Sequence, residues 1–498
     1  MTDLNRLETA VHPNKLRRVP IDPVTRVEGH GKVTLLLDEQ GRVQQARLHI
    51  TEFRGFEAFI QGRPYWEAPV LVQRLCGICP VSHHLAAAKA LDQLAGVDEL
   101  PPSAEKMRRL MHLGQTLQSH ALHFFHLASP DLLFGSQKAV AQRNFSGLLA
   151  EHPDLLKRGV LLRKYGQEVI RLTSGKRIHG SGAIPGGFNK HLEAQDVDYL
   201  KQDIRQIIDW AGQATRLARR LFEEDQAYHQ QFGCVPSAFL SLCASNGVFD
   251  IYHGTLRLKQ ADGQLYFDTV DYRDYSHWIQ EEVKSWSYMK FPFIATLGNE
   301  QGHYRVGPLA RINNCATMPT PLAETQRRIF IKTAPQNMQQ APLAYHWARM
   351  IELLYCAESI ERLLDDPHLL RGDLQARGNP RERGIGAIEA PRGTLLHDYR
   401  VNEDGLITQA NLIVSTTHNN QAMNLAIRRV ALDELDGQQI TEPLLNQIEM
   451  VLRAYDPCLS CATHALGRMP LQVELTDSSG RTLDRVNKNA DGQFLRSQ

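Results

Sequence analysis

What this sequence lacks narrows it first. It has almost no net charge: 56 Lys and Arg stand against 55 Asp and Glu, a formal +1. That balance leaves no electrostatic footprint for nucleic acid and no polybasic face for anionic lipid. No apolar run approaches the roughly 18 residues that cross a bilayer. The opening MTDLNRLETAVHPNKLRR is polar and lacks the apolar stretch of a secretory signal. There is no GxGxxG at a strand-to-helix turn, and Gly175-Lys176 lacks the Ser or Thr that would complete a phosphate-binding loop. Cysteine is sparse, 8 in 498 residues, too few for a disulfide scaffold. A cytoplasmic, reducing location is the expectation, with the cysteines serving as thiols, metal ligands or catalytic groups.

What is present is a globular composition, 42% hydrophobic and 22% charged. A prior of roughly 150 residues per domain suggests about three domains. No clean linker divides the chain, no repeat recurs, and one unit is the better reading. Three segments read as β-hairpins: Lys32 to Phe53 turning at Asp38 to Gly41, Thr255 to Val270 turning at Asp262-Gly263, and Gly393 to Ser415 turning at Asp404-Gly405. Four stretches, 83–96, 104–127, 195–224 and 342–365, carry apolar residues at helical spacing. Helices of this length need mutual burial. The fold class expected is α+β, mostly helical, a long-helix bundle core with peripheral antiparallel hairpins. Gly- and Pro-rich stretches at 174–188 and 370–394 read as long ordered loops.

The sharpest feature is a Cys-x-x-Cys pair near each end, Cys76/Cys79 in RLCGICP and Cys458/Cys461 in DPCLSCATH. Two intervening residues let one turn aim two sulfurs at one ion. Four thiolates are soft ligands, suited to zinc, iron or nickel rather than magnesium or calcium. On spacing alone a closed four-cysteine zinc site is the common outcome, and an iron–sulfur cluster is the next. Spacing does not decide between them. His120, His123 and His126 share one expected helix, but their spacing drifts around it, so packing is the better reading. Cys234, Cys243, Cys315 and Cys356 stand alone and read as small buried hydrophobes.

The flanks add more. DPVTRVEGHGKV (Asp22 to Val33), RGFEAFIQGR (Arg54 to Arg63), RLCGICPVSHH (Arg74 to His84), YRVGPLARIN (Tyr304 to Asn313), EAPRGTLLHDY (Glu389 to Tyr399), STTHNN (Ser415 to Asn420) and DPCLSCATH (Asp456 to His464) occur in one order. In that order and wording the chain resembles the large, catalytic subunit of nickel–iron (NiFe) hydrogenases. CGICPVSHH with DPCLSCATHALG looks most like the cytosolic NAD-reducing branch. The resemblance implies reversible heterolysis of H2 to protons and electrons. Cys76 and Cys458 would be terminal ligands of nickel, and Cys79 and Cys461 would bridge nickel to an iron carrying CO and CN ligands. Cys458 would take the proton, with Arg392 as the competing base, and Glu28 would relay it outward. Arg392 would lean over the metal pair and hold a cyanide or face substrate. Thr416 would contact another cyanide, although the family often has proline where Ser415 stands. His83 would hydrogen-bond a bridging sulfur, and Glu57 and His464 would bind Mg2+.

The same resemblance implies partners. Electrons would leave through an iron–sulfur small subunit to a flavin-bearing module that reduces NAD, with no NAD, flavin or iron–sulfur cluster on this chain. Residues 1–464 would form one catalytic unit: a β-hairpin region at about 20–55, a helical core and a metal-binding segment at 456–464. The stretch 465–498, with LQVEL and RTLDRV suggesting a small hairpin, would be an extension removed after His464 by a maturation endopeptidase once nickel chaperones have loaded the metal. The sequence would then be the unprocessed form. Three rivals remain at this point: a hydrogen-sensing or NADP-linked relative within the family, a complex I-like quinone-proximal subunit without nickel, and a scaffold stabilised by a four-cysteine zinc site.

Overall fold

Hairpins form at all three places where Asp-Gly or a polar turn interrupts alternating sequence. The computed structural model describes residues 5–135, 138–139 and 142–463, and beyond them the backbone of three strands, Leu471–Thr476, Thr482–Lys488 and Phe494–Arg496. The first hairpin pairs β2 (Gly31–Leu37) with β3 (Val43–Ile50), closed where the Gly41 N–H donates to the Asp38 carbonyl at 3.0 Å. An additional strand, β1 (Arg17–Ile21), pairs antiparallel along β2. Its charged start and Pro20 hide it in the sequence, and both suit an edge strand. The second hairpin joins a larger sheet. β4 (Ala238–Cys243), β5 (Thr255–Lys259), β6 (Leu265–Val270) and the short β7 (Tyr304–Arg305) lie in the order β7-β4-β5-β6.

The third sheet corrects an expectation. Residues 370–394 do not form one loop: β8 (Arg383–Ala390) pairs antiparallel with β9 (Gly393–Val401), which pairs with β10 (Ile407–Ile413). Gly384 and Gly386 gave β8 the look of a loop. Their purpose is packing, because a Cβ on Gly386 would stand 2.1 Å from the Ala86 carbonyl and one on Gly384 2.1 Å from that of Ala90. Glycine lets the strand lie directly on the helix that carries those alanines.

That helix is α1 (Pro80–Leu94). The other long helices are α2 (Pro102–Leu122), α3 (Pro153–Ser174), α4 (Ala194–Glu223) and α5 (Ala344–Leu364), followed by α6 (Asn420–Val430) and α7 (Glu442–Ala454). α3 was not legible as a helix, since Gly159 and Gly166 dilute its pattern. α2 packs on α3, and α5 packs on both α2 and α4. Almost every residue of α5 is buried, as expected of a helix at a bundle centre. α2 runs directly into a wider π-type turn at 123–128. The three histidines of this region go to different partners: His120 to Glu352 at 2.9 Å, His123 to the Arg453 carbonyl at 2.8 Å, and His126 onto the Phe145 ring. They pack rather than converge. Among the described residues, no helix is long and apolar enough to cross a membrane.

Candidate metal centre

Two loops bring the cysteine pairs to one point. Pro80 opens α1, a position where its missing N–H is not needed, and this leaves Cys79 at the N-cap with Cys76 just before it. The Cys76 sulfur accepts the backbone N–H of Ile78 and of Cys79, each at 3.2 Å. The second pair follows α7, where the chain turns at Asp456 (φ +53°) and a short 3-10 turn holds Cys461. All four sulfurs are buried and lie within 4.8 Å of one another. Cys76 meets Cys458 at 3.3 Å, Cys79 meets Cys461 at 3.8 Å, and Cys458 meets Cys461 at 2.7 Å.

The chain's own groups treat Cys79 differently from the C-terminal pair. Hydrogen bonds from Cys458, Cys461 and Cys76 hold Cys79 well below the ordinary thiol range. Burial pushes Cys458 and Cys461 well above it. Ionising all four requires soft cations to balance the charge.

Glu28 is fastened to the C-terminal pair twice. Its carbonyl accepts the Leu459 N–H at 2.9 Å, and its Oε2 accepts the Ser460 N–H at 3.1 Å. The same Oε2 accepts the Cys458 thiol at 3.0 Å. Gly29 makes this approach possible: at φ +83°, a Cβ there would stand 2.7 Å from the Ser460 nitrogen. From this point polar groups lead outward. Ser460 Oγ donates to Glu52 at 2.8 Å, and Glu52 meets His30, whose ring is exposed. Glu52, Ser460 and His30 escaped the sequence reading because nothing in spacing ties 28–52 to 460. Only the isolated β-bridge between Glu28 and Cys458 does so.

Arg392 sits in the tight turn between β8 and β9. Its Nε donates to the Asp456 carbonyl at 2.6 Å and its Nη2 to the Asp456 carboxylate at 3.0 Å. Burial works against its charge, but Asp456 and the sulfurs of Cys458, Cys79 and Cys76 outweigh that and hold its pKa well above the ordinary value. Its Nη1 is buried with no hydrogen-bond partner among the described residues. Arg392 lines a small cleft with Cys79, Cys458 and Cys461, otherwise walled by Pro391, Leu395 and Val414. Thr416 lines it too, and its hydroxyl accepts the Cys458 N–H at 3.0 Å. Ser415 turns away and donates to the Gly393 carbonyl at 2.7 Å. His83, buried on α1, meets His397 Nε2 through Nδ1 at 3.3 Å, and its ring adds to the lowering of the Cys79 thiol.

These groups fit a centre of soft metals with small ligands. Four thiols supply the donor set, and Arg392, whose Nη1 has no hydrogen-bond partner among the described residues, lines a cleft with three of them. Glu57 stands apart from the sulfurs. It is buried beneath β10, where Oε1 accepts the Leu412 N–H at 2.9 Å and the Lys290 ammonium at 3.3 Å. Burial raises its pKa to about 7. Lys290 also reaches Glu281 and Asn411, so oxygen acceptors gather around a cation that the chain itself provides. His464 lies outside the described residues. Three of the four lone cysteines behave as expected: Cys243, Cys315 and Cys356 are buried and burial raises their thiol pKa values, whereas Cys234 is only partly buried.

Known proteins resemble this chain in sequence and fold. The profile of a family described as nickel-dependent hydrogenase matches residues 54–141 and 251–464, and one described as HoxL-like matches 18–53. The chain is 48% identical to the NAD-reducing hydrogenase HoxS subunit beta of Cupriavidus necator, over 94% of this chain and 99% of that protein. It is 42% identical to an F420-non-reducing hydrogenase of Methanothermobacter marburgensis, over 94% of this chain and 100% of that one. A solved NAD+-reducing nickel–iron hydrogenase in the H2-reduced state superposes with a TM-score of 0.88 at 56% identity, covering 90% of this chain and 99% of that chain.

Proposed function

The chain belongs to the nickel-dependent hydrogenase family and is a hydrogenase catalytic subunit; from that premise we propose how its residues divide the work. Cys76 and Cys458 would hold nickel, and Cys79 and Cys461 would be shared between nickel and an iron that would carry CO and CN. When bound, this pair supplies the Lewis acidity and electron acceptance that heterolysis of H2 needs. One observation carries the reading. Four buried sulfurs converge, and three of them line a small cleft with Arg392, whose Nη1 has no hydrogen-bond partner among the described residues. A lone zinc ion needs only the sulfurs, and a quinone-proximal scaffold needs none of it.

The remaining roles belong to the chain. The Cys458 sulfur accepts the proton released in the reaction and hands it to Glu28 Oε2, 3.0 Å away. Ser460, Glu52 and His30 continue toward the surface. Arg392, held rigidly by Asp456, directs Nη1 at a cyanide on iron, a task for a planar donor fork that never titrates readily. Thr416 anchors Cys458 through its backbone and turns its own hydroxyl hydrogen toward the other cyanide. Glu57, with His464, binds Mg2+, while Lys290 shares the carboxylate.

Electrons pass to a small iron–sulfur subunit, then, by likeness to the NAD-reducing relatives, to a flavin module and NAD. Residues 465–498 are an extension that a maturation endopeptidase removes after nickel chaperones have delivered the metal. We place the assembly in the cytoplasm, consistent with eight cysteines that form no disulfide. The test is an infrared spectrum of the purified complex together with metal analysis. Iron-bound CO and CN bands are expected, with nickel present and iron in excess of it because the iron–sulfur partner brings its own; zinc alone, or no such bands, would reject the reading.

A further inference from the structure

Glu28 and Cys458 meet at one turn, yet they arrive on two separate segments. Glu28 rides on the loop 22–31, where Arg26 has φ +56° and the Val24 N–H donates to the Gly31 carbonyl at 2.9 Å. Cys458 follows α7, whose last turn carries Arg453. A third segment reaches both. Asp131, on the short helix Ser129–Phe134 beyond the π-type turn, is buried. Its Oδ1 accepts Arg26 Nη2 at 2.5 Å, and its Oδ2 accepts Arg453 Nη1 at 2.5 Å.

Both arginines are fixed by further bonds. Arg26 Nη1 donates to the Leu127 carbonyl at 2.8 Å. Arg453 Nε donates to the Thr25 carbonyl at 3.0 Å, and its Nη2 to the Thr25 hydroxyl at 3.1 Å. Glu449, one turn earlier on α7, accepts the Thr25 N–H at 2.6 Å and pairs with Arg453 Nη2 at 2.9 Å. Arg143 stands 3.9 Å from Asp131 and pairs with Glu442. Each guanidinium thus has a carboxylate. Asp131 and Arg453 are the most deeply buried of these groups. Moving either would leave a buried charge uncompensated, so the cluster keeps one geometry. Arg26 is two residues from Glu28 and Arg453 five from Cys458, too short a reach for either segment to drift while the cluster holds.

We propose that Asp131 is a positioning residue for the proton step: one carboxylate oxygen grips Arg26 beside Glu28, the other grips Arg453 behind Cys458, and the clamp sets the approach of Glu28 to that sulfur. The consequence rests on the reading above, in which the proton passes from Cys458 to Glu28. Such a transfer needs hydrogen-bond reach. The sulfur and the carboxylate oxygen stand 3.0 Å apart, which leaves little slack. A displacement of about 1 Å, caused from outside the reacting groups, costs about 10²-fold. Among the described residues the Asp131 carboxylate reaches only arginines, so it acts through them.

The experiment compares the intact complex with two variants, Asp131→Asn and Arg26→Lys. The second keeps its charge but loses the fork that spans Asp131 and Leu127, and it carries the same readouts should Asp131→Asn fail to fold. Isotope exchange between H2 and D2O should slow by about tenfold to 10²-fold in each, with the iron-bound CO and CN bands in place. Amide hydrogen exchange, followed by mass spectrometry, should quicken in peptides covering 22–31 and 456–461 but not in α1 or α5. Added to Glu28→Gln, either substitution should slow isotope exchange no further. Unaltered isotope exchange in both variants beside a slow Glu28→Gln, additive slowing, or amide protection unchanged or lost throughout would overturn the proposal. If Glu28→Gln itself exchanged isotopes at the unaltered rate, the proton route would fall instead. The amide readout would still judge the clamp: quickening confined to the two peptides upholds it, and none refutes it.

Discussion

Glu28 and Cys458 are separated by 430 residues of sequence, and the carboxylate oxygen of one lies 3.0 Å from the sulfur of the other. The contact is braced by two further bonds from the same turn, so the carboxylate has one position rather than many. A proton leaving Cys458 therefore meets Glu28 first. Glu28→Gln keeps the shape and the hydrogen-bonding oxygen but cannot take up a proton. Hydrogen–deuterium exchange should slow by roughly 10²-fold or more, the usual contribution of a placed acid–base group, while the CO and CN bands stay in place. Exchange at the unaltered rate would remove Glu28 from the route.

Cys458→Ser replaces a soft donor with a hard one at the point where the sulfur contacts are shortest. The serine hydroxyl does not ionise near neutral pH, so the site loses both a ligand and a proton acceptor. H2 oxidation should vanish and nickel content should fall, with the circular dichroism spectrum unchanged because the rest of the core is untouched. Full activity in a sequence-verified variant would refute the ligand assignment.

The legible parts of this protein are those whose signal is local. Asp-Gly turns, the apolar stripes of α4 and α5, and the Cys-x-x-Cys spacings could each be read within about thirty residues. β8 and α3 could not, because glycines placed for close packing imitate loop composition. At the centre, the resemblance named Glu28, Arg392, Thr416 and His83, and the geometry supplied their partners. Asp456 and Ser460 lay beside and between the cysteines of a motif and drew no notice. Glu52 meets the C-terminal cysteine turn through Ser460, 408 residues away. No periodicity marks a side chain whose partner arrives hundreds of residues later.

The extension offers a prediction in mass rather than rate. Mass spectrometry of the catalytically active complex should find this subunit ending at His464. The reason is chemical: Cys458 and Cys461 must reach their final places around metal, and a tail attached three residues beyond Cys461 restrains that segment. An active enzyme retaining Gln498 would show that trimming is unnecessary.

Acid should destabilise the fold before ordinary solvated carboxylates titrate. His84, His112 and His120 are fully buried, and burial lowers each ring to a pKa of about 4, from 6.5 when solvated. The folded state keeps them neutral, so the unfolded chain binds more protons between those values. Their contribution is complete above about pH 6.5 and is lost as pH falls toward 4. Each ring can add up to about 1.4 kcal/mol per pH unit within that window. The melting temperature should therefore decline steadily from pH 6.5 to 4.5, with proton uptake on unfolding at pH 5.5. A flat melting temperature across this range would contradict it.

Two alanine substitutions that look alike should act in opposite directions. In Gly386→Ala the new methyl meets the Ala86 carbonyl at 2.1 Å and the Ala90 nitrogen at 2.6 Å, backbone atoms with nowhere to go. β8 must lift from α1, at a cost of roughly 1–3 kcal/mol or more for overpacking. Gly212, in the middle of α4, has only the end of Arg216 nearby, at 3.4 Å. Gly212→Ala should stabilise by roughly 0.5–1 kcal/mol through helix propensity. The distinction reaches the metal centre, because α1 begins at the Cys79 cap and carries His83, while α4 touches neither. Metal content should fall with stability in Gly386→Ala and hold in Gly212→Ala. If both variants melted alike and kept their metal, the close seating of β8 on α1 would be irrelevant to the site.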